Sequence, residues 1–380
     1  MFIIFSGAAV LSTIALFTRQ SLLVAYIILG MFLGPWALGI VQNPERVTQT
    51  GDIGIIFLLF LLGLHLHPQN LLHMLKKMSW ITFVSSVLFF GIGFVVPYLF
   101  GFTLTESLVV GAAMMFSSTI IGLKLLPTTV LHHQHTGELM ISILLMQDLL
   151  AIIVLLALRA VASEHSTVWH LGAVLVAFPV LLFIAYIFQR FVLIKLLEKF
   201  DRVQEYLFML SIGWCLTMAE LGHLFGLSED VGAFVAGVAI ATNPISLYIA
   251  ESLKPLRDFF LVLFFFSIGA SFNFAYLHYV AIPAVILAAV SLLVKPCVFS
   301  WLLRQTKETP QVSWEVGMRL GQSSEFALLV AYLATSSAII GPKTSYLIQA
   351  MTIITFIVSC YIVVIKYPTP MALTEQLRRD

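Results

Sequence analysis

Charge is what this sequence has least of. Of 380 residues only 10% are Asp, Glu, Lys or Arg, 60% are hydrophobic, and the mean hydropathy is +1.02. Soluble domains carry about 25% charged residues, so an ordinary water-soluble fold is excluded and the chain reads as a bundle of spans in a lipid bilayer. The net charge is only +1. There is no basic stripe and no basic patch interleaved with aromatics, which argues against nucleic acid as a partner. The three cysteines, Cys215, Cys297 and Cys360, lie in apolar segments without C-x-x-C spacing. They read as packing residues, neither a disulfide framework nor a thiolate metal site. There is no phosphate loop and no nucleophile–base spacing, so neither an enzyme nor a cofactor is expected. The opening run MFIIFSGAAVLSTIALF has no basic residue ahead of its apolar stretch. That is unlike a secretory signal, and the run is read as a first, short span.

What the chain does have is long hydrophobic runs. A span needs about 20 mostly apolar residues. Thirteen segments approach that length: 2–17, 21–41, 52–67, 79–100, 106–131, 137–160, 168–197, 203–225, 229–243, 256–272, 275–303, 313–338 and 344–366. With the N-terminus outside, the inner loops and tail hold fourteen of the Lys and Arg residues. The outer loops hold three, Arg46, Arg159 and Lys343. Basic residues concentrate on the cytoplasmic side. The expectation is an integral plasma (inner) membrane protein, N-terminus outside and C-terminus in the cytoplasm.

The chain also repeats itself. FLLGLHLHPQNL (Phe60 to Leu71) and FSIGASFNFAYL (Phe266 to Leu277) share Phe, Gly and Leu at an offset of 206 residues. The same offset carries Ser117-Ser118 onto Ser323-Ser324. LGMFLGP (Leu29 to Pro35) and AGVAIATNP (Ala236 to Pro244) match with a small slip. The third segment thus pairs with the tenth and the fifth with the twelfth. Seven segments is an odd separation, so the two copies cross the membrane in opposite senses. Such an inverted-topology repeat is a signature of secondary transporters, and the seventh segment becomes the linker.

Transporters of that kind bind their ion near the midplane, where paired helices unwind and expose carbonyls and half-helix ends. The fifth segment holds FSSTIIG, with Ser117, Ser118 and Thr119, and the twelfth holds LGQSSEFA, with Gln322, Ser323, Ser324 and Glu325. The alternative is hydroxyls that merely bond back to their own helix. The sixth segment carries Gln147-Asp148 in the run SILLMQDLLAIIVLLAL. A carboxylate at that depth costs at least about 2.5 kcal/mol on insertion scales and is a functional-site hypothesis by default. Neighbours on a helix do not share a face, so Asp148 is the expected ion site, while Gln147 braces unwound backbone or lines the edge of the cavity. Lys295, deep in the eleventh segment beside Pro296, is expected to pair with Asp148 in the empty state or to snorkel. Arg319 and Glu325 flank the second break and are expected to pair with each other or close a gate.

These stretches resemble the transmembrane part of Kef-type potassium/proton antiporters, in the monovalent cation:proton antiporter-2 family. The resemblance rests on GPWALG, LLFLLGLHLHPQNL, SSTIIGLKLL, LLMQDLLAI, GAFVAGVAIA, FFFSIGASFNF and LGQSSEFALLV, which cover most of the chain in the family's order. Sodium/proton relatives usually have Asp-Asp or Asn-Asp where this chain has Gln147-Asp148. The resemblance implies an all-α polytopic fold of about 13 transmembrane helices, sodium/proton antiporter-like. It has two inverted-topology six-helix repeats with discontinuous helices. It also implies a homodimer, a scaffold, and an ion-carrying core that moves in an elevator-like way. On that division the scaffold takes 1–78, the linker helix 164–202, and 203–273. The core takes 79–163 and 274–366, and 367–380 form a cytoplasmic tail. Many members carry a nucleotide-binding regulatory domain after the last helix. This sequence ends at KYPTPMALTEQLRRD, so that domain is expected to be missing or replaced by a separate cytoplasmic regulatory subunit.

The expected chemistry is competition. A carboxylate in a closable polar cavity holds a proton or a potassium (or sodium) ion, but hardly both. Asp148 would be that carboxylate. Gln147, Ser117, Ser118, Thr119 and carbonyls near Gln322, Ser323 and Ser324 would replace the ion's water. Lys295, Glu325 and Arg319 support or gate the site. A sodium/proton antiporter is the first alternative. A channel would need a continuous filter, and an organic-anion symporter an anion site for which Arg319 is the obvious candidate. His132, His133 and His135 join the fifth and sixth segments on the cytoplasmic side. They are candidates for a pH sensor, with solvated loop residues or a metal site as alternatives.

Overall fold

The computed structural model describes residues 1–18, 20–42, 44–65, 68–119, 122, 135–162, 168–200, 203–225, 227 and 229–368. Among them regular structure is entirely helical, as lipid demands: a spanning backbone must satisfy its own polar groups. The first half holds α1 (Phe2–Phe17), α2 (Leu22–Leu33), α3 (Pro44–His65), α4 (Pro68–Leu99), α5 (Leu104–Met114) and α6 (His135–Ala162). Next, α7 (Val168–Phe188) runs through a π-helical stretch, Gln189–Leu193, into α8 (Ile194–Lys199). The second half holds α9 (Gln204–Leu224), α10 (Glu229–Ile240), α11 (Ile245–Ala270), α12 (Leu277–Gln305), α13 (Pro310–Arg319), α14 (Glu325–Ser336) and α15 (Pro342–Lys366). Six helices among the described residues are long and apolar enough to cross a membrane, and six more are shorter apolar helices.

Local chemistry sets where the short helices start. Thr103 and Glu106 close a reciprocal capping box at the start of α5. Thr309 caps α13 ahead of Pro310, which has no N–H to waste at the first helical position. Ser324 caps α14 by accepting from the Phe326 N–H at 3.1 Å.

The helices pack as two groups. In the first, α2 crosses α11 and α3 crosses α10 through glycines. A Cβ on Gly30 would overlap the Phe266 carbonyl oxygen, and one on Gly269 the Ile27 carbonyl oxygen. In the same way Gly63 lies against the Phe234 carbonyl and Gly237 against the Phe60 carbonyl. The two crossings are repeat-related, since Gly63 and Gly269 stand at the 206-residue offset. The shared Gly of the repeat is therefore a point of backbone contact. Without a solvent-driven hydrophobic force between helices, such close packing is a main source of association in lipid.

The second group is α4, α5, α6 and α12 to α15. Here α4 packs along α5, α6 and α12, while α12 packs along α13 and α15. Pro296 lies inside α12 and α13 closes on it: a Cβ on Gly317 would sit 2.6 Å from the Pro296 carbonyl oxygen. This contact brings Lys295 beside the end of α13. Cys215 and Cys360 are buried, but Cys297 is exposed on α12. That corrects its reading as a packing residue: one step along the helix from Pro296, it turns to the outer face.

Candidate ion-binding site

Two helices stop in the interior of the second group. Helix α5 ends at Met114, and Met115 to Ser118 are not helical. Helix α13 ends at Arg319, and five residues pass before α14 begins at Glu325. Each break leaves backbone groups without intrahelical partners, and each is buried where water cannot supply them.

Side chains supply them instead. The Ser117 N–H donates to Gln147 Oε1 at 3.0 Å, and Gln147 Nε2 donates to the Met115 carbonyl at 3.3 Å. One amide thus braces both sides of the first break. Across the second, the Ser323 N–H donates to Thr355 Oγ1 at 3.1 Å, and the Ser359 hydroxyl donates to Gln322 Oε1 at 3.0 Å. Ser117 and Ser323 are repeat equivalents, so the same backbone N–H is satisfied in both copies by a side chain of a long helix.

The breaks also bond to each other. Ser117 Oγ donates to the Leu320 carbonyl at 2.8 Å, and Ser118 Oγ to Glu325 Oε2 at 2.7 Å. Lys295, 1% exposed, donates to the Phe116 carbonyl at 2.6 Å and to the Gln322 carbonyl at 3.2 Å. Phe116 and Gln322 also stand 206 residues apart. A single ammonium therefore ties the two equivalent carbonyls, with the Phe89 ring 5.2 Å away. The expected ion pair between Lys295 and Asp148 is corrected: the ammonium is engaged by carbonyls that the breaks set free.

Asp148 is 2% exposed on α6. The Thr119 hydroxyl donates to its Oδ1 at 3.5 Å, a long bond, and Glu325 lies within electrostatic reach. The carboxylate thus faces the junction of the breaks, with a second carboxylate near and Lys295 bonded elsewhere.

The pairing expected between Arg319 and Glu325 is also corrected. Arg319 forms an ion pair with Glu315 at 2.8 Å and donates to the Pro368 carbonyl at 2.9 Å. Glu315 is one turn back on the same helix, whereas Glu325 opens α14 beyond the break and accepts from Ser118. His132 and His133 lie outside the described residues. His135 opens α6, its Nε2 2.8 Å from Glu308 Oε2 in the turn between α12 and α13. Away from this site, Glu220, His223 and Glu229 bring one ligand atom each within 4.8 Å of one another, all three exposed.

Sequence reasoning missed Thr355 and Ser359. The signal was present: Ser345, Gln349, Thr352, Thr355 and Ser359 recur at helical spacing along one face of the last span.

Crossed, interrupted helices beside a buried carboxylate are the architecture of a secondary ion transporter. Residues 3–365 match the family model described as sodium/hydrogen exchanger, transmembrane, and the chain belongs to that family. It is 29% identical over 354 residues to K(+) efflux antiporter 4 of Arabidopsis thaliana, covering 89% of this chain and 58% of the relative. It is 27% identical over 385 residues to the glutathione-regulated potassium-efflux system protein KefC of Escherichia coli, covering 98% and 61%. The chain thus spans about three-fifths of the length of these two relatives. The solved sodium proton antiporter MjNhaP1 from Methanocaldococcus jannaschii superposes with a TM-score of 0.70 at 17% identity. That superposition covers 99% of this chain and 96% of the other, and shows a common fold.

Proposed function

We propose that this protein exchanges a monovalent cation for protons at Asp148, and that potassium is the cation. The observation that carries the reading is that Lys295, the buried ammonium nearest in kind to a partner for Asp148, is bonded to the Phe116 and Gln322 carbonyls instead. A buried carboxylate without an ammonium on it must take up a proton or a cation. Thr119 and the freed backbone of the breaks offer the neutral oxygens that replace an ion's water. Protonation expels the cation and cation binding expels the proton, so the two fluxes couple. With Asp148 as the exchanging carboxylate and Glu325 held by the Ser118 hydroxyl, one proton moves per cation and no net charge is moved.

In this reading α4 to α6 and α12 to α15 form the moving core, and the glycine-crossed helices form a scaffold that also makes a homodimer contact. The N-terminus lies outside and the C-terminus in the cytoplasm. The named relatives that act on potassium support the choice of cation. The family model and the shared antiporter fold keep sodium as the second reading. Purified protein in proteoliposomes, loaded with a pH gradient and offered potassium, sodium and lithium in turn, separates them. The largest pH response to potassium is expected, and a response to sodium alone overturns the potassium assignment.

A further inference from the structure

No step of the exchange chemistry uses Arg319, yet it is 2% exposed at the last residue of α13, just ahead of the second break. A buried charge is costly unless it is paired and hydrogen-bonded. Helical side chains lean back toward the N-terminus of their helix, so this one runs away from the break to Glu315. Its Nε donates to Glu315 Oε1 at 2.9 Å. A second partner comes from the end of the last helix. Nη2 donates to the Pro368 carbonyl at 2.9 Å, and the guanidinium carbon stands over the Tyr367 ring, 5.4 Å from its centre.

The local sequence makes that second partner. Proline disfavours helix at the residue before it. Tyr367 accordingly leaves α15 extended, with φ −125° and ψ 155°, while its N–H still donates to the Val363 carbonyl. Pro368 has no N–H, so its carbonyl is its one backbone hydrogen-bonding group, and Arg319 takes it. The half-buried ring of Tyr367 offers its π face, which attracts a cation.

Helix α15 therefore holds the second break at two levels. Thr355 and Ser359 hold Ser323 and Gln322 inside it. Tyr367 and Pro368, about two to three turns on, hold Arg319 ahead of it. Only Leu320 and Gly321 lie between the two anchorages. The Leu320 carbonyl is the one that accepts the Ser117 hydroxyl and joins the two breaks. A shift of Arg319 reaches it through a single peptide unit.

We propose that Tyr367 and Pro368 form a strap that positions the second break through Arg319, so that the exit of the chain from α15 sets how the carbonyls of the break are aimed at the cation. The effect on transport rests on the exchange reading above. The strap itself does not.

The test compares Tyr367→Leu, which keeps bulk but loses the ring, with Tyr367→Phe, which keeps the ring. Arg319→Lys keeps the charge but has one nitrogen for two acceptors. The full chain in proteoliposomes gives the potassium concentration for half-maximal exchange. Amide hydrogen exchange on the same samples gives the protection of residues 320–324. Tyr367→Leu and Arg319→Lys should raise the half-maximal concentration several-fold and speed amide exchange in 320–324 several-fold. Tyr367→Phe should restore both close to the wild type. A merely structural contact would lower the maximal rate and the melting temperature instead. Amide rates and half-maximal concentration unmoved in Tyr367→Leu overturn the strap, as does Tyr367→Phe shifted as far as Tyr367→Leu. Should Tyr367→Leu fail to fold, Arg319→Lys decides by the same two readouts. Amide exchange does not depend on transport. If Asp148→Asn still exchanges ions, the exchange reading fails, and the amide rates still decide the strap.

Discussion

Lys295 Nζ lies 2.6 Å from the carbonyl oxygen of Phe116, in the opposite repeat. The same ammonium reaches the equivalent carbonyl of Gln322, so one cation on α12 staples both helix breaks. Hydrogen bonds from a charged group contribute about 1.5–3 kcal/mol each in soluble proteins and less in lipid. Lys295→Met should therefore cost about 2 kcal/mol and lower the melting temperature of the solubilised protein by several degrees. Lys295→Gln, which keeps one donor group, should recover part of the loss. Melting curves that superpose for all three would remove the staple from the account.

Gln147 is long enough for its amide to bond Ser117 and Met115 together. Gln147→Asn is one methylene shorter and should lose one of the two bonds. Gln147→Leu loses both and leaves the Ser117 N–H buried alone, a penalty of about 1–3 kcal/mol. Exchange should fall in the order Gln, Asn, Leu, by roughly tenfold or more for Leu, as each lost bond lets the break drift. Flux assays on the two variants at matched expression test that order, and equal activity in all three contradicts it.

Gly269 and Gly63 are contact points of backbone with backbone. A larger residue must push whole helices apart, and overpacking typically costs about 1–3 kcal/mol even where side chains can yield. Gly269→Val and Gly63→Val should each reduce the yield of folded protein in size-exclusion chromatography. Gly213, with open space around it, should accept Ala without loss. A Gly269→Val protein that elutes and melts like the wild type would refute the crossing.

His135 and Glu308 join the start of the Asp148 helix to the turn before α13. The contact holds α6, and Asp148 with it, to that turn. His135→Ala removes it, so exchange by the variant should fall a few-fold while the protein stays folded. Exchange equal to that of the wild type would take this contact out of the account.

Much of this was legible in the sequence because lipid leaves few alternatives. Ser117-Ser118 and Ser323-Ser324, with Thr119, Gln322 and Glu325 beside them, stand out as polar clusters in otherwise apolar runs, and one offset relates the two serine pairs. Asp148 stands out for the same reason. The partners were not legible. Lys295 has two kinds of acceptor within reach of a long side chain, and only the path of the broken backbone makes the carbonyls nearer than the carboxylate. Arg319 was assigned to Glu325 by closeness in sequence, yet the break that separates them turns one toward Glu315 and the other toward Ser118. Thr355 and Ser359 went unassigned because hydroxyls in a span are usually satisfied by their own helix; here a neighbouring break competes for them.

The central claim is that a proton and a cation compete for Asp148. The most direct measurement adds potassium to the purified, weakly buffered protein and follows the pH. The wild type should release about one proton per chain as the cation displaces it, and Asp148→Asn should release none. Proton release of equal size from Asp148→Asn would contradict the account.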